Sequence, residues 1–80
     1  MPRSNLAQDR AHKKTLLLSG NIRKYMTLKS RTAWDMTRAL GIVPDTWYKK
    51  VRNPESFKFE EVVRIVNYLD FSPADREELL

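Results

Sequence analysis

Apolar side chains recur along this chain at three- and four-residue spacing, the period of a helix with one buried face. The stretch from Thr32 to Arg52, TAWDMTRALGIVPDTWYKKVR, reads as two short helices of this kind. Ala33, Met36, Thr37 and Leu40 make the buried face of the first. Trp47 and Val51 make that of the second, with Asp45, Tyr48, Lys49 and Arg52 largely on the other side. Thr32 is a good N-cap, and Asp35 gives a capping-box-like T-x-x-D start with its charge on the positive end of the helix. Gly41 stands where that helix should stop, because a left-handed C-cap costs glycine no Cβ clash, and Ile42 can fold back onto Met36. Pro44 cannot continue the first helix but suits the first turn of the next, where its missing N–H is not needed. The predicted unit is helix, tight turn, helix.

The flanks follow the same period. From Leu16 to Ser30, Leu18, Ile22, Tyr25 or Met26, and Lys29 fall at helical spacing, interrupted by Ser19-Gly20-Asn21. Either Ser19 or Asn21 caps a helix that begins there, or one longer helix carries an interior glycine at a cost of about 1 kcal/mol. We expect a start near Ser19, with Leu16 to Leu18 packing back as a preceding turn. Asn53-Pro54 should end the second motif helix, since the residue before proline is pushed out of the helical region. Phe59 to Leu69 is then strongly periodic, with Phe59, Val62, Val63, Val66 and Leu69 as its stripe and Ile65 widening it. Ser72-Pro73-Ala74-Asp75 starts a short last helix. Phe71, Leu79 and Leu80 either cover the core or form half of a two-fold contact. Trp34 stands beside the buried face of the first motif helix and is expected to pack on the N-terminal segment; the alternative is an exposed aromatic contact.

The positions of Met36, Leu40, Gly41, Ile42, Trp47 and Val51 resemble the helix-turn-helix of the lambda-repressor/Cro-like family, also called the xenobiotic-response-element type. The resemblance spans roughly Ile22 to Leu80 and implies an all-α fold: a compact bundle of four or five helices. Residues 16–80 would be the DNA-binding domain; residues 1–15, basic and with little apolar periodicity, are themselves expected to form a mobile or partly helical arm, either one that tracks phosphates or reaches into a groove, or a solvated leader or extra helix packed on the body. It implies a regulator of the phage or mobile-element kind, binding double-stranded DNA as a homodimer in the cytoplasm. Three positions depart from the family: Thr37 replaces a usual alanine, Val43 a small polar cap, and Pro44 a common glutamine.

On that reading the helix 44–52 enters the major groove, and side chains near its N-terminus reach base edges. Lys49 can donate to guanine, Asp45 can accept from cytosine N4, Tyr48 can bond a phosphate or lie on a thymine methyl, and Pro44 offers apolar contact. Asp45 has a second explanation, since an acid in the first turn favours the helix dipole without DNA. Lys50 and Arg52 are expected to neutralise phosphates. Lys29 and Arg31, with the backbone N–H groups behind Thr32, form a candidate phosphate corner. Asn53 heads a loop that the resemblance lays near the DNA backbone.

Charge sharpens this reading. The 80 residues carry a net +5; residues 1–52 hold 12 Lys/Arg against 3 Asp/Glu, a net of +9, and residues 53–80 hold 3 against 7, a net of −4. The first two thirds therefore point toward a polyanion. With no cysteine there is no disulfide framework or thiolate metal site, and the single histidine, His12, has no partner for a metal. The run Leu16-Leu17-Leu18 is too short to span a bilayer, and no signal-peptide pattern is present. Neither a nucleophile–base pair, a paired-carboxylate site nor a phosphate-cradling glycine loop is visible, so no enzyme, cofactor or small-molecule substrate is expected. A second reading is a protein-interaction module on the same fold, such as an antitoxin or anti-repressor partner, kept open by the Val43-Pro44-Asp45 head. RNA binding is a third, disfavoured by the absence of an exposed aromatic run.

Overall fold

The computed structural model describes residues 6–80, with side chains for Arg10 and for residues 12–80. Five α-helices follow one another: α1, Leu6–Leu28; α2, Ala33–Leu40; α3, Pro44–Arg52; α4, Phe59–Tyr68; and α5, Pro73–Leu79, with a 3-10 turn at Pro54–Ser56. No strand occurs among the described residues. No helix among them is long and apolar enough to cross a membrane.

The first helix differs from the expectation. It runs unbroken for 23 residues through Ser19-Gly20-Asn21 and takes in residues 6–15 of the predicted arm, whose first five residues lie outside the described region. Gly20 sits on the exposed side with no neighbour within 4 Å. The buried face of Leu18, Ile22 and Tyr25 passes on either side of it. Packing of that face offsets the roughly 1 kcal/mol that the glycine costs.

Where the helices begin and end follows local chemistry. Thr32 Oγ1 accepts from the Asp35 N–H at 3.2 Å while the Thr32 N–H donates to Asp35 Oδ2 at 2.8 Å, completing the capping box. Gly41 closes α2 in the left-handed region (φ 70°), and the Ile42 N–H then returns to the Thr37 carbonyl at 3.1 Å. Helix α3 starts without a side-chain cap, from Val43 into Pro44. Ser72 Oγ accepts from the Asp75 N–H at 3.3 Å at the head of α5. Ser30 and Asp70 adopt left-handed backbone (φ 53° and 54°) past the ends of α1 and α4.

One cluster joins all five helices. Leu18, Ile22, Tyr25, Met36, Leu40, Trp47, Phe57, Ile65, Val66, Leu69 and Phe71 are buried, with Ile42, Val51, Val62 and Leu79 packed against them. Tyr25 stacks on Phe71 at 4.3 Å between centroids, and Trp47 meets Phe57 at 5.8 Å with a 60° tilt. The Tyr25 hydroxyl accepts from the Ser72 N–H at 3.0 Å and donates to Asp75, which also takes Lys24 Nζ at 3.0 Å, so α1 is tied to α5 by polar as well as apolar contact.

Two aromatic expectations fail. Phe59 is 72 % exposed, because it is the first residue of α4 and the register that buries Ile65, Val66 and Leu69 and half-buries Val62 turns it outward. Glu61 is buried in that first turn instead. Trp34, expected to be covered, is 60 % exposed; α2 buries Met36, Thr37 and Leu40 and leaves the indole on its outer side. Phe71 and Leu79 belong to the core, and Leu80 is exposed.

The two tryptophans should respond oppositely to truncation. Trp47→Ala removes a side chain that is 2 % exposed and is expected to cost about 3–5 kcal/mol in urea unfolding. Trp34→Ala should stay within about 0.5 kcal/mol of the parent protein.

Candidate nucleic-acid interface

Helix α3 has one buried side chain, Trp47, and that anchor sets which way the rest face. Residues at i, i+4 and i+8 share a face, as do their i+1 neighbours. Pro44, Tyr48 and Arg52, with Asp45 and Lys49, accordingly form one exposed surface, and the four predicted base readers are brought together. Lys49 Nζ lies 3.5 Å from Asp45 Oδ2, an i,i+4 pair whose members are both largely in solvent. Such a pair is worth little and does not prevent either group from taking another partner.

The predicted phosphate-binding residues divide. Arg52 is exposed and has no carboxylate partner among the described residues. Lys50 differs from Arg52. Its ammonium is largely buried, 2.9 Å from Glu61 Oε1 and 3.1 Å from the Ser56 carbonyl, and it lies over the Phe57 ring. The cause is its position on α3, half a turn from the exposed face and opposite the first turn of α4. It ties α3 to α4 and is not a free surface cation.

The corner at Thr32 is likewise altered. The Thr32 N–H is already occupied by Asp35, whose carboxylate brings negative charge to the place where a phosphate was expected. Lys29 leans toward Asp70 at 3.9 Å, and the Arg31 guanidinium lies 5.2 Å from the centre of the Tyr68 ring. Arg31, Asp35, Arg38, Ala39 and Tyr68 line a shallow cleft between α2 and α4. Asn53 is exposed and turns its side-chain amide toward the Glu55 carboxylate.

Three carboxylates are tuned by these contacts. The Thr32 N–H, then its hydroxyl, holds Asp35 below the usual carboxylate range. Burial pushes Glu61 up, but the Lys58 N–H at 2.8 Å and the Lys50 ammonium outweigh it and leave the group lowered. Asp75 is lowered by the Tyr25 hydroxyl, then by Lys24, whose own ammonium is raised by the same bond.

The charge division along the sequence is partly satisfied within the fold. The acidic helix α5 lies against α1, pairing Asp75 with Lys24, and Glu78 lines one cleft with Arg10, Lys13 and Lys14. Sequence reasoning had placed all of those cations with a polyanion. From α1 it considered only residues up to 15, as a phosphate-tracking arm, yet Arg23 on the opposite flank of that helix lines a groove with Arg52. The spacing of His12, Ser19 and Arg23 contains this signal only for a helix continuous through Gly20. Among the described residues no group of three or more histidine, cysteine or acidic side chains could hold a metal ion. No protein-family model matches the chain, and neither does any curated protein or solved structure.

The Lys50–Glu61 pair should register in stability. Lys50→Met keeps the apolar stem and removes the ammonium, and is expected to lower unfolding free energy by about 1–3 kcal/mol. The lowered folded-state values of Asp35, Glu61 and Asp75 mean that their stabilisation is complete above the unfolded carboxylate range and is lost as pH falls through it. Thermal melts should hold steady down to about pH 5 and then decline toward about pH 3. A melting temperature that rises on acidification would contradict these contacts.

Proposed function

We propose that this protein is a sequence-specific regulator that reads double-stranded DNA with α3, as a helix-turn-helix of the lambda-repressor/Cro-like type. The observation that carries the reading is the α2–Gly41–α3 unit, in which Trp47 is buried and Pro44, Asp45, Tyr48, Lys49 and Arg52 share the outward face. A helix presented in this way fits the major groove, where Lys49 and Asp45 meet base-edge acceptors and donors and Arg52 meets phosphate. Lys50 is assigned to the scaffold. Lys29 and Arg31 supply positive potential near the duplex, with Thr32 acting as a cap. Two copies on paired half-sites are the expected form, and a sedimentation series with and without DNA reads it directly.

A second reading has its own observation. Trp34 and Phe59 are large aromatics left 60 % and 72 % exposed, which also suits a protein-interaction module. The two readings separate on one titration. In fluorescence anisotropy against randomised duplexes, log affinity should fall linearly and steeply with log salt, and sequencing of the retained fraction should recover a consensus. The double substitution Lys49→Glu, Arg52→Glu should lower affinity by about 100-fold or more with an unchanged helical spectrum. Full retention of affinity would remove α3 as the reader.

A further inference from the structure

We infer that the flank of α1 bearing His12, Ser19 and Arg23 forms, together with Arg52 at the end of α3, a binding strip for the phosphate backbone of duplex DNA. This rests on the DNA-reading role of α3 and extends the contact to a helix outside that motif. His12, Leu16, Ser19 and Arg23 follow one another at four-, three- and four-residue steps, so they form a single stripe on α1. The stripe faces a groove whose other wall is Val51, Arg52, Pro54 and Glu55. At 1.5 Å per residue the stripe runs for about 16 Å, long enough to reach more than one phosphate of a strand.

The two flanks of α1 differ in what they leave available. On one side Lys24 is held by Asp75, and Arg10, Lys13 and Lys14 share their cleft with Glu78. On the other, Arg23 and Arg52 are exposed and neither has a carboxylate partner among the described residues. A guanidinium presents paired donors that match two phosphate oxygens. The Ser19 hydroxyl and the His12 ring N–H are further donors in the same groove. Glu55 is the opposing charge there, and it faces the Asn53 amide. The groove therefore contains its own test, because removal of the cation and removal of the anion should act in opposite directions.

The experiment is a salt-series anisotropy titration of the full chain with a fluorescein-labelled duplex, comparing Arg23→Gln, Arg23→Lys, Glu55→Gln and Lys13→Gln. Arg23→Gln should weaken binding about 3- to 10-fold at low salt and reduce the slope of log affinity against log salt by about one. Arg23→Lys should recover that slope, Glu55→Gln should tighten binding, and Lys13→Gln, on the other flank, should leave the slope unchanged. Equal loss in Arg23→Lys and Arg23→Gln would assign the effect to structure and overturn the strip. If Arg23→Gln binds like the parent while the Lys49, Arg52 double reversal abolishes binding, the strip is overturned and the role of α3 stands. A parent protein that binds no duplex at any salt overturns both.

Discussion

Burial of Trp47 is the constraint on which the exposed face of α3 depends. A nine-residue helix is marginal in water on its own, so α3 takes its stability from what it packs against. Trp47 is its single fully buried side chain, wedged against Phe57 from the chain just beyond the 3-10 turn. Val51, one turn on, packs at the edge of the same cluster. With these two inward, helical geometry leaves Pro44, Tyr48 and Arg52, and beside them Asp45 and Lys49, nowhere to point but out. The chemistry of that face can vary freely as long as the anchor is kept.

Polar contacts fix what the apolar core alone would leave free to slide. Lys50 and Glu61 lock the end of α3 to the start of α4, and the Lys58 N–H shares the same carboxylate oxygen, so one buried acid organises three segments. Between α1 and α5 Tyr25 performs a similar task, stacking on Phe71 and joining Ser72 and Asp75 through its hydroxyl. These bonds draw on charges that a reading of composition would assign to an external partner. Net charge is an argument about partners only after the internal pairs have been subtracted.

Much of the architecture was legible in the sequence because it is written in local rules. Thr32 with Asp35, Gly41, Pro44, Asn53-Pro54 and Ser72-Pro73 each act within a few residues, and each marks a boundary that the structure places within a residue or so of expectation. Less legible were features that depend on partners distant in sequence. Gly20 reads as a break until the continuous face of α1 is packed on α5. Phe59 reads as core until Glu61 turns inward to meet Lys50, eleven residues earlier. Trp34 is exposed for a similar reason, since the large side chain was weighed by its area and not by the register set by Met36 and Leu40. At the candidate site, helical phase alone grouped the residues of α3, but it gave no sign that Lys50, next to Lys49, was committed elsewhere.

The same local rules explain how a helix can display charge without losing stability. Asp45 lies in the first turn of α3, and Lys49 and Arg52 lie in its last turns, so each charge opposes the sign of the helix end beside it. The Asp45–Lys49 pair adds a small i,i+4 contribution in the favourable orientation. The displayed face is therefore neutral toward the fold, or slightly favourable, whether or not a ligand is bound. Val43 and Pro44 complete the arrangement: Val43 gives no side-chain cap, and Pro44 has no N–H to satisfy. A helix so anchored carries an acid at its head and cations toward its end on one exposed face, with the Tyr48 hydroxyl between them able to donate or accept.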